Sequence, residues 1–127
     1  MALPIADLLT WLTANSIPGV LANWMPEAPD QVVVASASPG ASPTMDGHLE
    51  ANHIHVRCRG ASDAAAETTA LAVHLLICQQ QGSVLMGATR VISIEPASGG
   101  PVFLMRDTSN RTTYMATYLV NAPTPGT

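Results

Sequence analysis

Between Asn52 and Arg59 the chain alternates without a break. Ile54, Val56 and Cys58 take one parity, and His53, His55, Arg57 and Arg59 take the other. Successive side chains of an extended strand point to opposite faces. The segment therefore requires a sheet with one apolar side and one polar side, and the rest of the chain has to cover the apolar one.

The flanking segments supply two helices and further strands. Pro4 suits a first helical turn, where its missing N–H costs nothing. Ile5, Leu8, Leu9 and Leu12 then recur at helical spacing, predicting a helix over 4–15 that ends at Asn15-Ser16-Ile17-Pro18-Gly19. Val20–Trp24 reads as a short strand. Gln31–Ala37 reads as a strand buried on both faces, because Val32, Val33 and Val34 run together. Ser38–Gly47 is rich in Ser, Pro and Gly and reads as a long mobile loop. After Gly60-Ala61, Ser62 and Asp63 cap a second helix reaching about Gln81, with Ala64, Leu71, Leu75 and Cys78 along one side. Val73, Leu76 and Ile77 widen its apolar surface, so this helix is expected to be central or docked on two partners. Thr89–Glu95, Pro101–Arg106 and Thr112–Asn121 read as an antiparallel meander whose last loop is Asp107–Asn110. The order α-β-β-β-α-β-β-β predicts an α+β fold, a mainly antiparallel β-sheet with two helices packed on one face. A single domain over 1–121 and an irregular tail over 122–127 follow from the same signals.

Charge limits what the chain can bind. Apolar residues make up 47% and charged residues only 11% of its 127 residues. Solvated surfaces normally hold about 25–35% charged residues, so much of this surface is expected to be covered by other subunits. Residues 1–56 hold five acids and no Arg, a balance of −5, and the remainder holds five Arg and four acids, +1. No Lys/Arg cluster is present to displace counterions from a duplex, so sequence-specific nucleic-acid binding is not expected. The longest apolar run, Ala70–Cys78, is interrupted by His74 and is far short of the roughly 20 residues that span a bilayer. No membrane partner is expected. The two cysteines, Cys58 and Cys78, read as free thiols of a protein folded inside a cell, and no basic signal-peptide region precedes Arg57.

Chemistry-bearing residues are few. His53 and His55 with His48 form a His-x-His pattern that could hold a metal if Asp46 or Glu50 joined it, but Cys58 faces the other way and no Cys-x-x-Cys is present. His74 reads as a hydrogen-bonded core or interface histidine rather than a base. No Gly-x-Ser-x-Gly elbow exists, and Gly82–Gly87 lacks the Lys of a phosphate loop. The expectation is a protein that is not an enzyme and carries no cofactor and no metal. His53, His55, Arg57 and Arg59, with Pro43, Met45 and Asp46 of the loop, are the candidate subunit or partner interface, since Arg is favoured where proteins meet.

Three segments together resemble the tail-terminator or minor capsid family of long-tailed bacteriophages. They are the opening helix followed by Trp24–Asp30 and Gln31–Val34, the strand His55–Gly60 leading into an alanine-rich helix, and Gly87–Ile94 followed by a closing hairpin. The Ser- and Pro-rich loop of low charge departs from the family pattern. The resemblance implies a hexameric ring on the end of the tail tube that stops tube polymerisation and docks the neck. Its partners would be further copies of itself, the major tail tube protein and a head-completion or neck protein, with genome DNA passing through the ring. Assembly would occur in the cytoplasm of a host bacterium and the product would reside in the virion. The competing readings are a neck or head-completion subunit and a small His-based ligand- or metal-binding protein using His53, His55 and Arg57.

Overall fold

The computed structural model describes residues 3–17, 19–39, 49–80, 83–97 and 99–123. In chain order its elements are α1 (Ile5–Ala14), β1 (Val20–Ala22), β2 (Val32–Pro39), β3 (Leu49–Gly60), α2 (Asp63–Cys78), β4 (Val84–Met86), β5 (Thr89–Val91), β6 (Ser93–Pro96), β7 (Val102–Arg106) and β8 (Thr112–Pro123). The alternating segment is β3, at the centre of a six-stranded sheet ordered β1-β2-β3-β8-β6, with β7 also paired to β8. Only the β1–β2 pair is parallel. The fold is α+β, as the sequence predicts.

Register explains which side is covered. Val33, Ala35 and Ala37 of β2 face Cys58, Val56 and Ile54, which in turn face Tyr114, Ala116 and Tyr118 of β8. Both helices lie on this side. From α1, Leu8, Trp11 and Leu12 are buried in the core, with Ile5 and Leu9 packed against it. From α2 the inward residues are Ala66, Thr69, Ala70, Val73 and Ile77. The row Ala64, Leu71, Leu75 and Cys78 points outward and is exposed. Small residues face the sheet because the helix lies close to it: a Cβ on Gly60 would stand 2.7 Å from the Ala66 nitrogen. Ser62 caps the helix, its Oγ accepting from the Ala65 N–H at 3.2 Å.

Several boundaries differ from expectation. β1 ends at Ala22, and the next residue, Asn23, takes a left-handed φ of 65° that turns the chain out of the sheet. β2 continues through Ser38 and Pro39, which the sequence assigned to the loop; Ser38 pairs with His53 and Pro39 with Asn52. The remainder of that loop, including Pro43, Met45 and Asp46, lies outside the described residues. α2 stops at Cys78, where the Gln80 N–H bonds to the Ile77 carbonyl at 3.1 Å in a tighter turn. The expected strand Thr89–Glu95 is divided. β5 pairs with β4 in a separate hairpin, and after Ile92 the chain joins β8 as β6. Gly87 turns that hairpin with φ 58°, against Asp7 of α1. β8 takes in Ala122 and Pro123, which the sequence placed in an irregular tail; Ala122 is buried and pairs with Glu50. The hairpin loop Asp107–Asn110 forms as expected, with the Asp107 N–H bonded to the Arg111 carbonyl at 2.9 Å. Among the described residues no helix is long and apolar enough to cross a membrane.

Candidate functional site

The side of β3 turned away from the helices carries the predicted polar residues, but they do not form one open face. Residues 23–31 leave β1, cross beneath one end of the sheet as a strap, and re-enter as β2. Val32 and Val34, on that side, are fully buried. Arg59 is only 4% exposed, because the strap covers it. Its Nε donates to the Asp30 carbonyl at 3.1 Å, and its Nη2 donates to the carbonyls of Pro29 at 2.6 Å and Glu27 at 3.4 Å. Burial lowers its pKa and the Arg111 charge adds to that, while Asp107, Asp30 and Glu27 act in the opposite sense. Arg59 thus fastens the strap to the sheet, and the expectation that it lies on an open surface is corrected.

Arg57 and Arg111 extend the same fastening. Arg57 Nη2 donates to the Asn23 carbonyl at 3.2 Å. Arg111 donates through Nε to Asp107 at 2.8 Å and through Nη1 to the Glu27 carbonyl. Asp107 also accepts the backbone N–H groups of Arg111 and Ser109, and these bonds, that of Arg111 foremost, hold its carboxyl below the usual carboxylate range. Between the strap and β7 lies a cleft of about 280 Å³, walled by Met25 and Pro26 on one side and Leu104 and Met105 on the other. Arg57, Arg59 and Thr113 also line it. The guanidinium groups that line it are bonded to carbonyls or carboxylates of the same chain.

Farther along β3, His53 and His55 are half-buried. His55 is held through both ring nitrogens, Nε2 to Ser38 Oγ at 2.9 Å and Nδ1 to Thr117 Oγ1 at 3.1 Å. An imidazole occupied on both sides offers no lone pair to a metal. Among the described residues no three His, Cys, Asp or Glu side chains converge as ligands. His48, Asp46 and Pro43, with Met45, lie outside those residues.

One constellation escaped the sequence reading. On α2, Cys78 Sγ lies 3.5 Å from His74 Nε2, and His74 Nδ1 lies 2.9 Å from the hydroxyl of Tyr118 on β8. The 74/78 spacing, one helical turn, was readable, but Tyr118 joins only through the packing of α2 on the sheet. Burial pushes the Tyr118 phenol pKa up, so its proton stays available to fix the imidazole tautomer. Cys78 is exposed, whereas burial pushes the Cys58 thiol up to about 12 and leaves it inert. The cleft lies on the opposite side of the sheet from this trio.

The remaining surface feature is apolar. All five residues of β7 are exposed, and Val102, Phe103, Leu104 and Met105 make four large apolar residues in succession. Leu71 and Leu75 add to this on the outer side of α2, the latter 59% exposed. Phe103 meets Tyr114 edge-on, and the Tyr114 hydroxyl donates to Glu67 of α2 at 3.0 Å, so Phe103 lies on the α2 side of the sheet while Leu104 and Met105 wall the cleft on the other. No family model and no curated protein matches the chain.

Proposed function

We propose that this protein is a structural subunit of a phage virion, a tail terminator that forms a hexameric ring on the end of the tail tube and works by binding alone. The observation that carries this reading is the run of four exposed apolar residues on β7, with Phe103 on the side of the sheet that α2 covers and Leu104 and Met105 at the cleft on the other. Soluble monomers rarely expose contiguous apolar patches beyond a few hundred Å², and larger ones mark interaction sites. A chain with 11% charged residues has little polar surface to offset such a patch. The rigid antiparallel sheet, with both helices on one side, supports the same reading, since a ring that must match a tube needs subunits of fixed shape. The strap fastened by Arg57, Arg59 and Arg111 stiffens the other side. The ring would seat one face on the tube and offer the other to the neck, ending tube growth by occupying the site of the next tube ring.

The test is polymerisation of the cognate major tail tube protein with and without this chain, read as tube length in negative stain. Short tubes bearing a sixfold ring at one end are expected. Unchanged tube length with bare ends would overturn the terminator reading. A larger ring that binds head-completion protein instead would assign the chain to the connector.

A further inference from the structure

We infer that copies of this chain join edge to edge, the free edge of β7 in one copy pairing with the free edge of β1 in the next. The inference rests on the ring reading above, which calls for a head-to-tail contact between two different surfaces, and it names those surfaces. β7 is bonded to β8 along one edge, and among the described residues no backbone hydrogen bond reaches its other edge. An uncovered edge is a row of unpaired N–H and C=O groups, which proteins usually blunt with Lys, Pro, inward charges or a β-bulge. β7 carries no charge before Arg106, and its one irregularity is the register shift between Phe103 and Met105. β1 lies at the opposite margin of the same sheet, and among the described residues it pairs with β2 alone. It is also uncharged, and it presents Leu21 at 40% and the neighbouring Trp24 at 70% exposure.

The occupant is a second copy because the chain itself carries both halves of the contact. Each edge lacks charge, each is flanked by large exposed apolar side chains, and pairing them continues one sheet into the next. Every joined pair keeps one free edge of each kind, so the contact propagates, and the ring reading requires that the rotation between copies close it. A β7-to-β7 pairing would be two-fold and would stop at a dimer. Taking about 150–250 Å² for a fully buried aromatic, the exposed parts of Val102, Phe103, Leu104 and Met105 from one copy and Leu21 and Trp24 from the next come to roughly 500 Å². That is about a third of a standard interface of roughly 1,600 Å², with the strand backbones and flanking residues left to supply the remainder.

The experiment uses the whole chain and two double variants, Val102→Lys/Leu104→Lys on β7 and Leu21→Lys/Trp24→Lys at β1. All four positions are exposed, and far-UV circular dichroism with a thermal melt verifies that the variants fold. Val102→Thr/Leu104→Thr, which keeps β propensity, replaces the first pair if lysine prevents folding. Mass is read by light scattering after size exclusion. Wild type is expected as a multimer, and each variant alone is expected at the mass of one chain. An equimolar mixture of the two should recover a species of two chains and stop there, because each variant supplies the one intact edge the other needs. A single-chain wild type, a variant that keeps the wild-type mass, or a mixture that stays single-chain overturns the edge pairing. Wild type that shortens tail tubes but keeps its mass through both substitutions would sink the edge pairing alone. Edge-paired rings that leave tube length unchanged would sink the terminator reading alone.

Discussion

Replacing Arg59 with alanine is expected to destabilise the subunit although no charged partner is lost. The side chain is buried, and its two shortest bonds run to the carbonyls of Pro29 at 2.6 Å and Asp30 at 3.1 Å. A hydrogen bond from a charged donor contributes about 1.5–3 kcal/mol net, so the pair would reach about 3–6 kcal/mol if both carbonyls were left dry. Glu27, Pro29 and Asp30 are exposed residues, so water can reach the vacated carbonyls and the cost falls toward the lower bound, about 3 kcal/mol. If the strap lifts, Val32 and Val34 lose their cover as well, at about 1.5–3 kcal/mol for each valine fully exposed. A drop in melting temperature of roughly 10 °C follows for a chain of this size. Circular dichroism melts of wild type, Arg59→Ala and Arg57→Ala would measure it. Arg57, with a single bond to the strap at 3.2 Å, is expected to lose only about half as much. Equal melting temperatures for Arg59→Ala and wild type would refute the idea that this guanidinium fastens the strap.

Three further outcomes follow from geometry already described. Gly60→Ala should cost about 1–3 kcal/mol, because the new Cβ would stand 2.7 Å from backbone nitrogen at Ala66; denaturant titration would show the midpoint falling at constant slope. Asp63, through Thr112 and then Arg106, and Asp107, through Arg111, are held below the usual carboxylate range. A depressed folded-state pKa gives stability that is present above the unfolded value of about 3.9 and is lost as pH falls through the folded one, so melts should fall away below about pH 4, and less steeply in Asp107→Asn. A thiol reagent should label one cysteine per native chain, Cys78, with Cys58 reacting only after unfolding; two fast thiols in the native state would contradict the burial of Cys58.

How much was legible depended on whether the deciding contact was local. The alternation of β3 and the α1 stripe could be read because the period itself separates the two sides. The inward side of α2 could not: apolar residues surround the helix, and only its close approach at Gly60 puts Ala66 and Ala70 inside and Leu71 and Leu75 outside. Ser38 and Pro39 look like loop residues and are strand only because β3 supplies Asn52 and His53 as partners. Val91 and Ile94 are both buried, so nothing local marks the break at Ile92 where one apparent strand divides between two sheets. Parity placed Arg59 correctly on the polar side, but only the path of the strap decides that this side is covered there. The His74–Cys78 spacing was visible and its third member, Tyr118, was not, because it arrives from another element.

The pairing of β3 with β8 also fixes the order in which the molecule can come together. Gly60 meets Thr112 and Leu49 meets Pro123, so the two longest strands are joined by contacts 52 to 74 positions apart in sequence. Closing so long an interval costs entropy before any ladder bond repays it, which makes pairings of this kind slow. Among the described residues β6 and β7 have no strand partner except β8, and the β7–β8 hairpin, with Arg106 opposite Thr112 only six positions away, can close before that long interval does. Substitutions in the β3–β8 seam are therefore expected to slow folding. The apolar edge of β7 accordingly belongs to the part of the sheet that can form first, and a chain still searching for its fold already presents it to its neighbours.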